Sequence, residues 1–501
     1  MSDISLIDVT LRDGNQSIWG AVGVKTRTVE RMAPYLGAAG YYAVEAATST
    51  MLATAVRYHR EDPWERLDTL HRGMPGTTLG FLTTGKRFIT FSRTPANLFQ
   101  LAFDLLRRHG VTRMWVIDPM HDMESAMSTA RMAKKAGFEE VIGGICYTVS
   151  PVHTDEYFAE KVAQFDACEA IDSIYIKDPA GLLTPERLQT LVPCLRSGLK
   201  QKAVQELHTH CNTGLGPLNL LTGADLGLVR LHCALPPLAD GSSHASGLQL
   251  VNNLRARGHR VDVDLDAMQR ASDTLTREAR LRNLPEGKPR VYDEAYFQHT
   301  LPGGVLSTTA RQLREMGRPE LMPAVVEEAR QVRADLGWPI VVTPFAQYIV
   351  TQAALNVIAG ERYQRISDEV VDMLLGDWGS MPGKVSPELM DRVQGLPRAR
   401  QRARAEEPEA PSLDELRRRF GGNISDEDLL LRAVMPSEQM DSMVSARESR
   451  RRAGSAGGDL GLRELAEALS DPQRPLSIRV SQGDTTLSLS GRRGSGILEG
   501  A

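Results

Sequence analysis

The 501-residue sequence lacks the features of a membrane or secreted protein. It has no run of about 18 apolar residues that could span a bilayer, and its first residues show no basic segment followed by an apolar stretch. Its five cysteines form no CxxC pair and no zinc-ribbon spacing, so neither a disulfide framework nor a cysteine zinc site is indicated. We therefore expect a cytoplasmic protein without membrane insertion.

Aromatic residues are scarce, and neither charge sign is in large excess. Aromatics make up 5% of the chain and the formal net charge is -4. Because nucleic-acid-binding proteins carry a basic excess, no nucleic-acid partner is expected. A hydrophobic content of 42% is typical of a soluble globular protein. The length leaves room for a barrel of roughly 250 residues and a second unit.

Short apolar segments alternate with helical patterns through the first part of the chain. The eight segments are Ser5–Thr10, Tyr42–Ala47, Leu79–Thr83, Met114–Asp118, Val141–Thr148, Ser173–Lys177, Gln205–His210 and Val229–Ala234. Eight strands that alternate with helices are typical of a (β/α)8 barrel. The sequence therefore predicts an α/β fold, with a TIM barrel over residues 1–300.

The residues after the barrel predict a mainly helical C-terminal domain. Apolar positions recur there at helical spacing, and a later stretch divides into a basic half and an acidic half with few apolar residues. Ser412 and Glu415 form the pattern of a capping box. The predicted segments are a helical domain at 301–396, a charged linker at 397–411, a helical continuation at 412–455, and a small hairpin with a flexible tail at 456–501.

Polar side chains follow two predicted strands, on the barrel face where the catalytic groups of such enzymes gather. His208 and His210 end the seventh strand, and residues two apart on a strand share a face, so both imidazoles can meet one ion. Asp13 follows the first strand and can supply a carboxylate. A His-x-His pair also occurs without any metal, but its position at a strand end favours a metal site here.

Lys177 ends the sixth predicted strand within an apolar run, where an unpaired ammonium group would be costly. Two interpretations are open. Lys177 can form a salt bridge with a carboxylate of the barrel, or it can react with carbon dioxide and offer a carbamate oxygen to a metal. The residues alone do not decide between these two states.

A series of longer motifs runs in order from the first strand into the helical region. They are Leu11-Arg12-Asp13, Glu61-Asp62-Pro63-Trp64-Glu65-Arg66-Leu67, Tyr147-Thr148-Val149-Ser150-Pro151, Lys177-Asp178-Pro179-Ala180-Gly181, His208-Thr209-His210, Gly337-Trp338-Pro339 and Gly360-Glu361-Arg362-Tyr363. In these motifs the chain resembles the carboxyltransferase component of the pyruvate carboxylase, oxaloacetate decarboxylase alpha and transcarboxylase 5S family.

This resemblance implies a metal-dependent carboxyltransferase that uses biotin. The implied metal ligands are Asp13, His208, His210 and Lys177 as a carbamate, and a mixed oxygen and imidazole set suits zinc, manganese or cobalt. In the family reaction carboxybiotin releases carbon dioxide at the barrel mouth. The enolate of pyruvate then takes it up to give oxaloacetate.

The resemblance also implies roles for three residues outside the metal set. Arg12 matches an arginine that stabilises the enolate together with the metal. Gln16 matches a substrate-binding glutamine. Ser242 stands where the family has a threonine that shuttles a proton, so the implied catalytic residues are Ser242, Arg12 and Lys177.

Three polar contacts of the family are absent from this sequence. Thr84 stands in place of an arginine that grips the acceptor carboxylate, Phe91 in place of a tyrosine, and Ala53 in place of an aspartate near biotin. Loss of the arginine removes a charge-assisted interaction of roughly 1.5–3 kcal/mol. With Thr84 and Phe91 in the substrate site, we expect enolate chemistry on a 2-oxoacid-like acceptor, and pyruvate is not favoured.

The sequence has no Ala-Met-Lys-Met biotinylation motif and no lysine after Lys384. We therefore expect biotin on a separate carrier protein that is charged by a biotin carboxylase or a carboxyl-donor subunit. Family analogy also implies a homodimer. Two alternatives stay open, namely a biotin-independent metal-dependent decarboxylase, lyase or aldolase on a related acid, and a non-catalytic assembly subunit of a carboxylase complex. The full metal-ligand set favours the carboxyltransferase.

Overall fold

The computed structural model describes most of the chain. The described residues are 2–85, 87–89, 93–294, 296–404, 410–455, 476–482 and 485–491. The chain divides into two compact units, Met1–Asp441 and Ser442–Ala501. Within the described residues, every helix is too short or too polar to traverse a bilayer.

Eight parallel strands close into a barrel in the first unit. They are β1 (Asp3–Asp8), β2 (Ala43–Thr48), β3 (Thr78–Thr83), β4 (Val111–Ile117), β5 (Glu140–Cys146), β6 (Ser173–Asp178), β7 (Val204–Thr209) and β8 (Arg230–Cys233). Each pairs with the next, and β1 pairs with both β8 and β2, which closes the sheet. A two-residue strand, β9 (Arg260–Val261), adds to β1. The predicted barrel is confirmed, and each predicted segment overlaps its strand.

Within the described part of the barrel, eleven α-helices accompany these strands. They are α1 (Asn15–Trp19), α2 (Thr26–Ala38), α3 (Ser49–Thr54), α4 (Pro63–Gly73), α5 (Ala96–Arg108), α6 (Met123–Lys135), α7 (Asp155–Asp166), α8 (Pro185–Ser197), α9 (Gly216–Asp225), α10 (Gly247–Ala256) and α11 (Leu265–Arg282). Short π-helices span Thr10–Gly14 and Ala55–His59. Because the helices cover the outer face, the strands are buried on both faces.

One network of buried charges lies among the apolar side chains inside the barrel. Glu206 on β7 and Arg113 on β4 are both fully buried and form an ion pair. Trp115 Nε1 donates to the same carboxylate at 2.9 Å, and His232 Nε2 lies 3.3 Å from it. Burial alone would raise the pKa of Glu206, but the Arg113 charge and the hydrogen bonds from His232 and Trp115 lower it to about 2.

The chain after the barrel is mainly helical, as predicted. Its helices are α12 (Tyr296–His299), α13 (Gly303–Glu315), α14 (Met322–Asp335), α15 (Phe345–Ala359), α16 (Asp368–Leu374), α17 (Pro387–Gly395), α18 (Pro397–Arg404), α19 (Leu413–Phe420), α20 (Asp426–Val434) and α21 (Ser437–Ser455), with a 3-10 turn at Pro319–Leu321. Its core includes the buried side chains of Val332, Phe345 and Ile349.

The first half of the predicted linker is helical, because residues 397–404 form α18. Its arginines are not simply solvated. Arg398 pairs with Asp368 at 3.0 Å and also with Asp372, both on α16, and the side chain of Ala399 is buried. A basic stretch that lacks large apolar residues therefore folds as a helix against acidic partners, which are distant in the sequence.

The two local predictions further along the chain are confirmed. The Ser412 hydroxyl accepts from the Glu415 backbone N–H at 3.2 Å, and Glu415 accepts in return from Ser412, so α19 begins with a capping box. The hairpin consists of antiparallel strands β10 (Leu476–Gln482) and β11 (Thr485–Gly491). The rest of the predicted tail lies outside the described residues.

The buried network predicts a large loss of stability on Glu206→Ala. We expect the free energy of unfolding to fall by about 3–5 kcal/mol, because the fully buried Arg113 would keep only the partly exposed Glu140 as an ion-pair partner and Trp115 would lose its acceptor. The control is Glu139→Ala, which removes a side chain that is 70% exposed and pairs with Arg107; that change should cost at most about 1 kcal/mol. Urea denaturation measures both variants, and equal losses would contradict the assignment.

Candidate metal centre and active site

The π-helix that follows β1 brings Arg12 and Asp13 to the barrel mouth. At the end of β1, Asp8 accepts the Thr10 backbone N–H at 3.1 Å, and the Thr10 hydroxyl accepts the Leu235 N–H from the segment after β8 at 2.8 Å. The chain then turns through Thr10–Gly14, and π-helical turns often occur at functional sites. Both side chains are buried as a result.

The ends of β6 and β7 place Lys177 beside His208. These two residues are register partners on adjacent parallel strands, and Lys177 Nζ lies 2.8 Å from His208 Nε2. The loop after Lys177 is held by Asp178, which accepts the backbone N–H groups of Leu182 and Leu183 at 2.8 and 3.0 Å.

Gly181 lets this loop lie against the end of β7. Its φ is +69°, and a Cβ at this position would come within 2.7 Å of the His210 carbonyl oxygen. Only glycine combines that conformation with such a close approach. The Ala180-Gly181 pair of the sequence motif is therefore explained by packing next to the His-x-His segment.

In addition to Arg12, which lies 2.8 Å away, four further cationic or imidazole nitrogens surround one oxygen of Asp13. From Oδ2, the distances are 3.2 Å to His208 Nε2, 3.5 Å to His210 Nε2, 3.4 Å to His244 Nε2 and 3.8 Å to Lys177 Nζ. All five side chains are buried. The structure thus brings together the four ligands implied by the resemblance, and it adds His244.

The charges around Asp13 keep its carboxylate ionised. Burial alone would raise the pKa of Asp13, but the charge of Arg12, at 2.8 Å, holds it well below its usual range. Burial lowers the pKa of Lys177, although the charge of Asp13 opposes this. Lys177 Nζ lies 3.8 Å from Asp13 Oδ2, which is within salt-bridge distance.

Hydrogen bonds to the outer nitrogens fix which imidazole nitrogen faces the cluster. His210 Nδ1 lies 2.7 Å from the Ser242 carbonyl oxygen, which can only accept, so Nδ1 carries the proton. His232 must donate from Nε2 to Glu206, and its Nδ1 then accepts from His208 Nδ1 at 3.1 Å. The Nε2 lone pairs of His208 and His210 are therefore directed at Asp13.

This donor set fits a divalent cation. Asp13, His208, His210 and His244 each offer one ligand atom, and these atoms all lie within 4.8 Å of one another. Metal-binding histidines usually donate their second N–H to a carbonyl or carboxylate, as His210 and His244 do to the carbonyls of Ser242 and Thr209. One carboxylate with several imidazoles suits zinc, manganese or cobalt and does not select among them.

The cluster lies at one side of a cavity of about 520 Å³ between the barrel mouth and the helical region. The cavity is lined by Arg12, Asp13, Gln16, Thr48, Ser49, Thr84, Arg87, Lys177, Ser242, Val305, Thr308, Gln347 and Trp378, among others. Gln16, Thr84 and Ser242 thus lie where an acceptor could contact them. The Ser242 hydroxyl donates to the Ser17 carbonyl at 2.9 Å. Phe91 lies outside the described residues.

Arg87, three residues after Thr84, also lines this cavity. Its guanidinium lies 3.3 Å from the centre of the Trp378 ring and donates to the Asp377 carbonyl at 2.7 Å. Burial lowers the pKa of Arg87 to about 10. A cation is therefore present in the cavity wall although position 84 carries none.

Sequence reasoning missed three residues of the site. His244 follows β8, so it lies at the same end of the barrel as the other candidate ligands. Its place two residues after Ser242 is the sequence signal that could have identified it. Glu45 on β2 accepts from Arg12, and His232 on β8 lies behind His208. Glu45 and His232 had no sequence signal, because their role arises from pairing across the barrel.

Two family models match different parts of the chain, one in the barrel and one in the region after it. Residues 297–486 match the family described as a conserved carboxylase domain, and residues 104–275 match the HMGL-like family. The fold matches the solved carboxyl transferase domain of Rhizobium etli pyruvate carboxylase with pyruvate, with a TM-score of 0.80. The two sequences are 20% identical, and the match covers 98% of this chain and 84% of that one. This likeness establishes the shared fold.

Relatives with closer sequences identify the family. A pyruvate carboxylase subunit of Methanocaldococcus jannaschii is 32% identical, over 78% of this chain and 68% of its own length. The methylmalonyl-CoA carboxyltransferase 5S subunit of Propionibacterium freudenreichii subsp. shermanii is 30% identical, over 77% of this chain and 76% of its own. The 2-oxoglutarate carboxylase large subunit of Hydrogenobacter thermophilus is 29% identical, over 88% of this chain and 68% of its own length.

The chain belongs to the pyruvate carboxylase and transcarboxylase family of biotin-dependent carboxyltransferases. The resemblance noted from the sequence motifs is confirmed, and the chain is an enzyme of carboxyl transfer. Family membership therefore favours this activity over the lyase and assembly-subunit alternatives.

The contact between Glu45 and Arg12 predicts a positioning role. Glu45→Ala should reduce kcat about 10- to 100-fold, the equivalent of a charge-assisted hydrogen bond of roughly 1.5–3 kcal/mol, because Arg12 loses its anchor. Bound metal, measured by elemental analysis, should stay unchanged, since Glu45 is not among the clustered ligands. Glu45→Asp should recover part of the rate. Unchanged kcat in Glu45→Ala would contradict this role.

Proposed function

We propose that this chain moves a carboxyl group between carboxybiotin on a separate carrier protein and a small 2-oxoacid-like acceptor through an enolate. The observation that carries the proposal is the convergence of Asp13, His208 and His210 beside Arg12 at the edge of a cavity. Arg12, together with a divalent ion held by this set, would place positive charge where an acceptor oxygen would become negative.

Each proposed residue has a task that its position supports. Arg12 is buried and held by two carboxylates, so it presents a fixed guanidinium to a developing enolate oxygen. Gln16 orients the acceptor from the cavity wall, and the Ser242 hydroxyl relays the proton between the biotin ring and the acceptor carbon next to the keto group. A divalent ion held by Asp13 and the histidines would add positive charge beside the same oxygen.

Lys177 is proposed as a further ligand through a carbamate. Its amine is buried 2.8 Å from His208 Nε2 and 3.8 Å from Asp13 Oδ2, so a carbamate oxygen would extend directly into the ligand cluster. Carbamylation also replaces a buried cation with a group that a metal can neutralise, which avoids the cost of an isolated buried ammonium.

The acceptor side of the cavity supports a substrate other than pyruvate. Thr84 cannot form the bidentate contact of an arginine, and Arg87 approaches from the direction of Trp378. The relatives carry names that differ in acceptor, namely pyruvate, methylmalonyl-CoA and 2-oxoglutarate. We propose that Arg87 binds the acceptor carboxylate and that the cavity selects a 2-oxoacid longer than pyruvate.

The proposed partners are a biotin carrier protein and a biotin carboxylase or carboxyl-donor subunit. Two relatives are named as subunits of pyruvate carboxylase, and another as a 5S subunit, so each works as part of an assembly. By the same family analogy we propose that this chain forms a homodimer. Analytical ultracentrifugation of the purified chain tests that state.

Carboxyl transfer to free biotin tests the proposed function. The purified chain, loaded with one equivalent of zinc, manganese or cobalt, should decarboxylate the carboxylated form of a 2-oxoacid longer than pyruvate, such as carboxylated 2-oxoglutarate, faster when biotin is added. Chelation of the metal should abolish this stimulation. A metal-dependent decarboxylation rate that does not change when biotin is added would contradict the proposal and favour a lyase.

The same assay tests Ser242. Ser242→Ala should lower the biotin-stimulated rate by about 10²–10⁴-fold, because loss of a proton-transfer group typically has this effect, and should leave the metal bound. Ser49→Ala is the matched control, since Ser49 is another serine of the cavity wall with no proposed catalytic role. Similar rates in the two variants would refute the shuttle.

Thr84→Arg tests the acceptor assignment. The new guanidinium should contact a short acceptor carboxylate and improve kcat/KM for pyruvate or oxaloacetate about tenfold or more, as expected for a charge-assisted contact of roughly 1.5–3 kcal/mol. Thr84→Lys is the control, because a lysine supplies the charge without the bidentate geometry. No gain in Thr84→Arg would contradict the placement of position 84 at the acceptor.

A further inference from the structure

His244 contributes a third imidazole to the Asp13 cluster. It lies in the segment between β8 and α10 and is fully buried. Its ring centre is 4.3 Å from that of His208 and 4.2 Å from that of His210. The side chain is therefore as much a part of the cluster as the two histidines of the sequence motif.

The hydrogen bonding of His244 leaves a lone pair directed at Asp13. Its Nδ1 lies 3.1 Å from the Thr209 carbonyl oxygen, which can only accept, so Nδ1 carries the proton. Its Nε2 is buried and has no hydrogen-bond partner among the described residues. The Asp13 carboxylate, 3.4 Å away, offers no proton to it. A lone pair and a carboxylate that face each other in a buried site call for a cation between them.

The three histidines share this arrangement. Each places Nε2 between 3.2 and 3.5 Å from Asp13 Oδ2. Ligand atoms at about 2.0–2.1 Å from a zinc ion lie roughly 3.3–3.4 Å apart in a tetrahedron. These contacts therefore have the spacing of ligands around an ion, and His244 matches that spacing as well as His208 and His210 do.

We propose that His244 is a direct ligand of the divalent ion. The inference rests on the proposed function, since it requires that the cluster binds a metal. With Asp13, His208 and His210 it supplies four donors from unmodified side chains, so a carbamate on Lys177 is an additional donor and is not needed to complete the set.

A count of imidazoles in the wild-type protein tests the proposal. The full chain is loaded with one equivalent of Co²⁺ or Zn²⁺, and X-ray absorption fine structure at the metal edge reports the number of bound imidazoles. We expect three. A bound metal with two imidazoles would overturn the His244 inference and leave the proposed function standing, whereas a chain that binds no metal would overturn both.

Variants extend the test to affinity. His244→Gln should reduce the count to two and raise the metal Kd, measured by competition with a chelator, at least tenfold. The control is His153→Gln. His153 Nε2 is also buried without a hydrogen-bond partner among the described residues, but it lies outside the ligand cluster, so metal affinity should not change. Unchanged affinity in His244→Gln would overturn the proposal, and if that variant fails to fold, the wild-type spectrum decides.

Discussion

The active-site architecture depends on the buried carboxylate of Asp13. An ionised carboxylate in a protein interior costs several kcal/mol unless opposite charges and hydrogen bonds surround it. Here those groups come from the π-helix after β1, the ends of β6 and β7, and the segment after β8. Four separate parts of the barrel must therefore meet at one oxygen, and closure of the sheet between β8 and β1 makes this possible.

The site is connected to the barrel interior through polar contacts. His208 contacts His232, which contacts Glu206, and Glu206 is paired with the fully buried Arg113. A buried ion pair is weak evidence for added stability. Its position behind a ligand histidine gives it a second task, because the chain of hydrogen bonds fixes the tautomer that directs the His208 lone pair outward. The barrel core and the proposed metal site are thus linked by one network.

The helical region completes the acceptor side of the cavity. Val305, Thr308, Gln347 and Trp378 belong to it and line the same cavity as Arg12 and Asp13. Arg87 extends from the barrel loop after β3 to the Trp378 ring, so a barrel cation and a helical aromatic residue form the wall together. Under the proposed function, selection of the acceptor depends on both parts, whereas the groups proposed to stabilise the enolate belong to the barrel alone.

The sequence by itself determined the alternation of strands and helices, the capping box at Ser412 and the ligands within one motif, because each depends on residues close together in the chain. Only the tertiary structure decided the helix at 397–404, the anchoring of Arg12 by Glu45, and the place of His244 in the cluster. Those features depend on contacts between residues far apart in sequence, which neither periodicity nor spacing can report. Barrel closure brings them together.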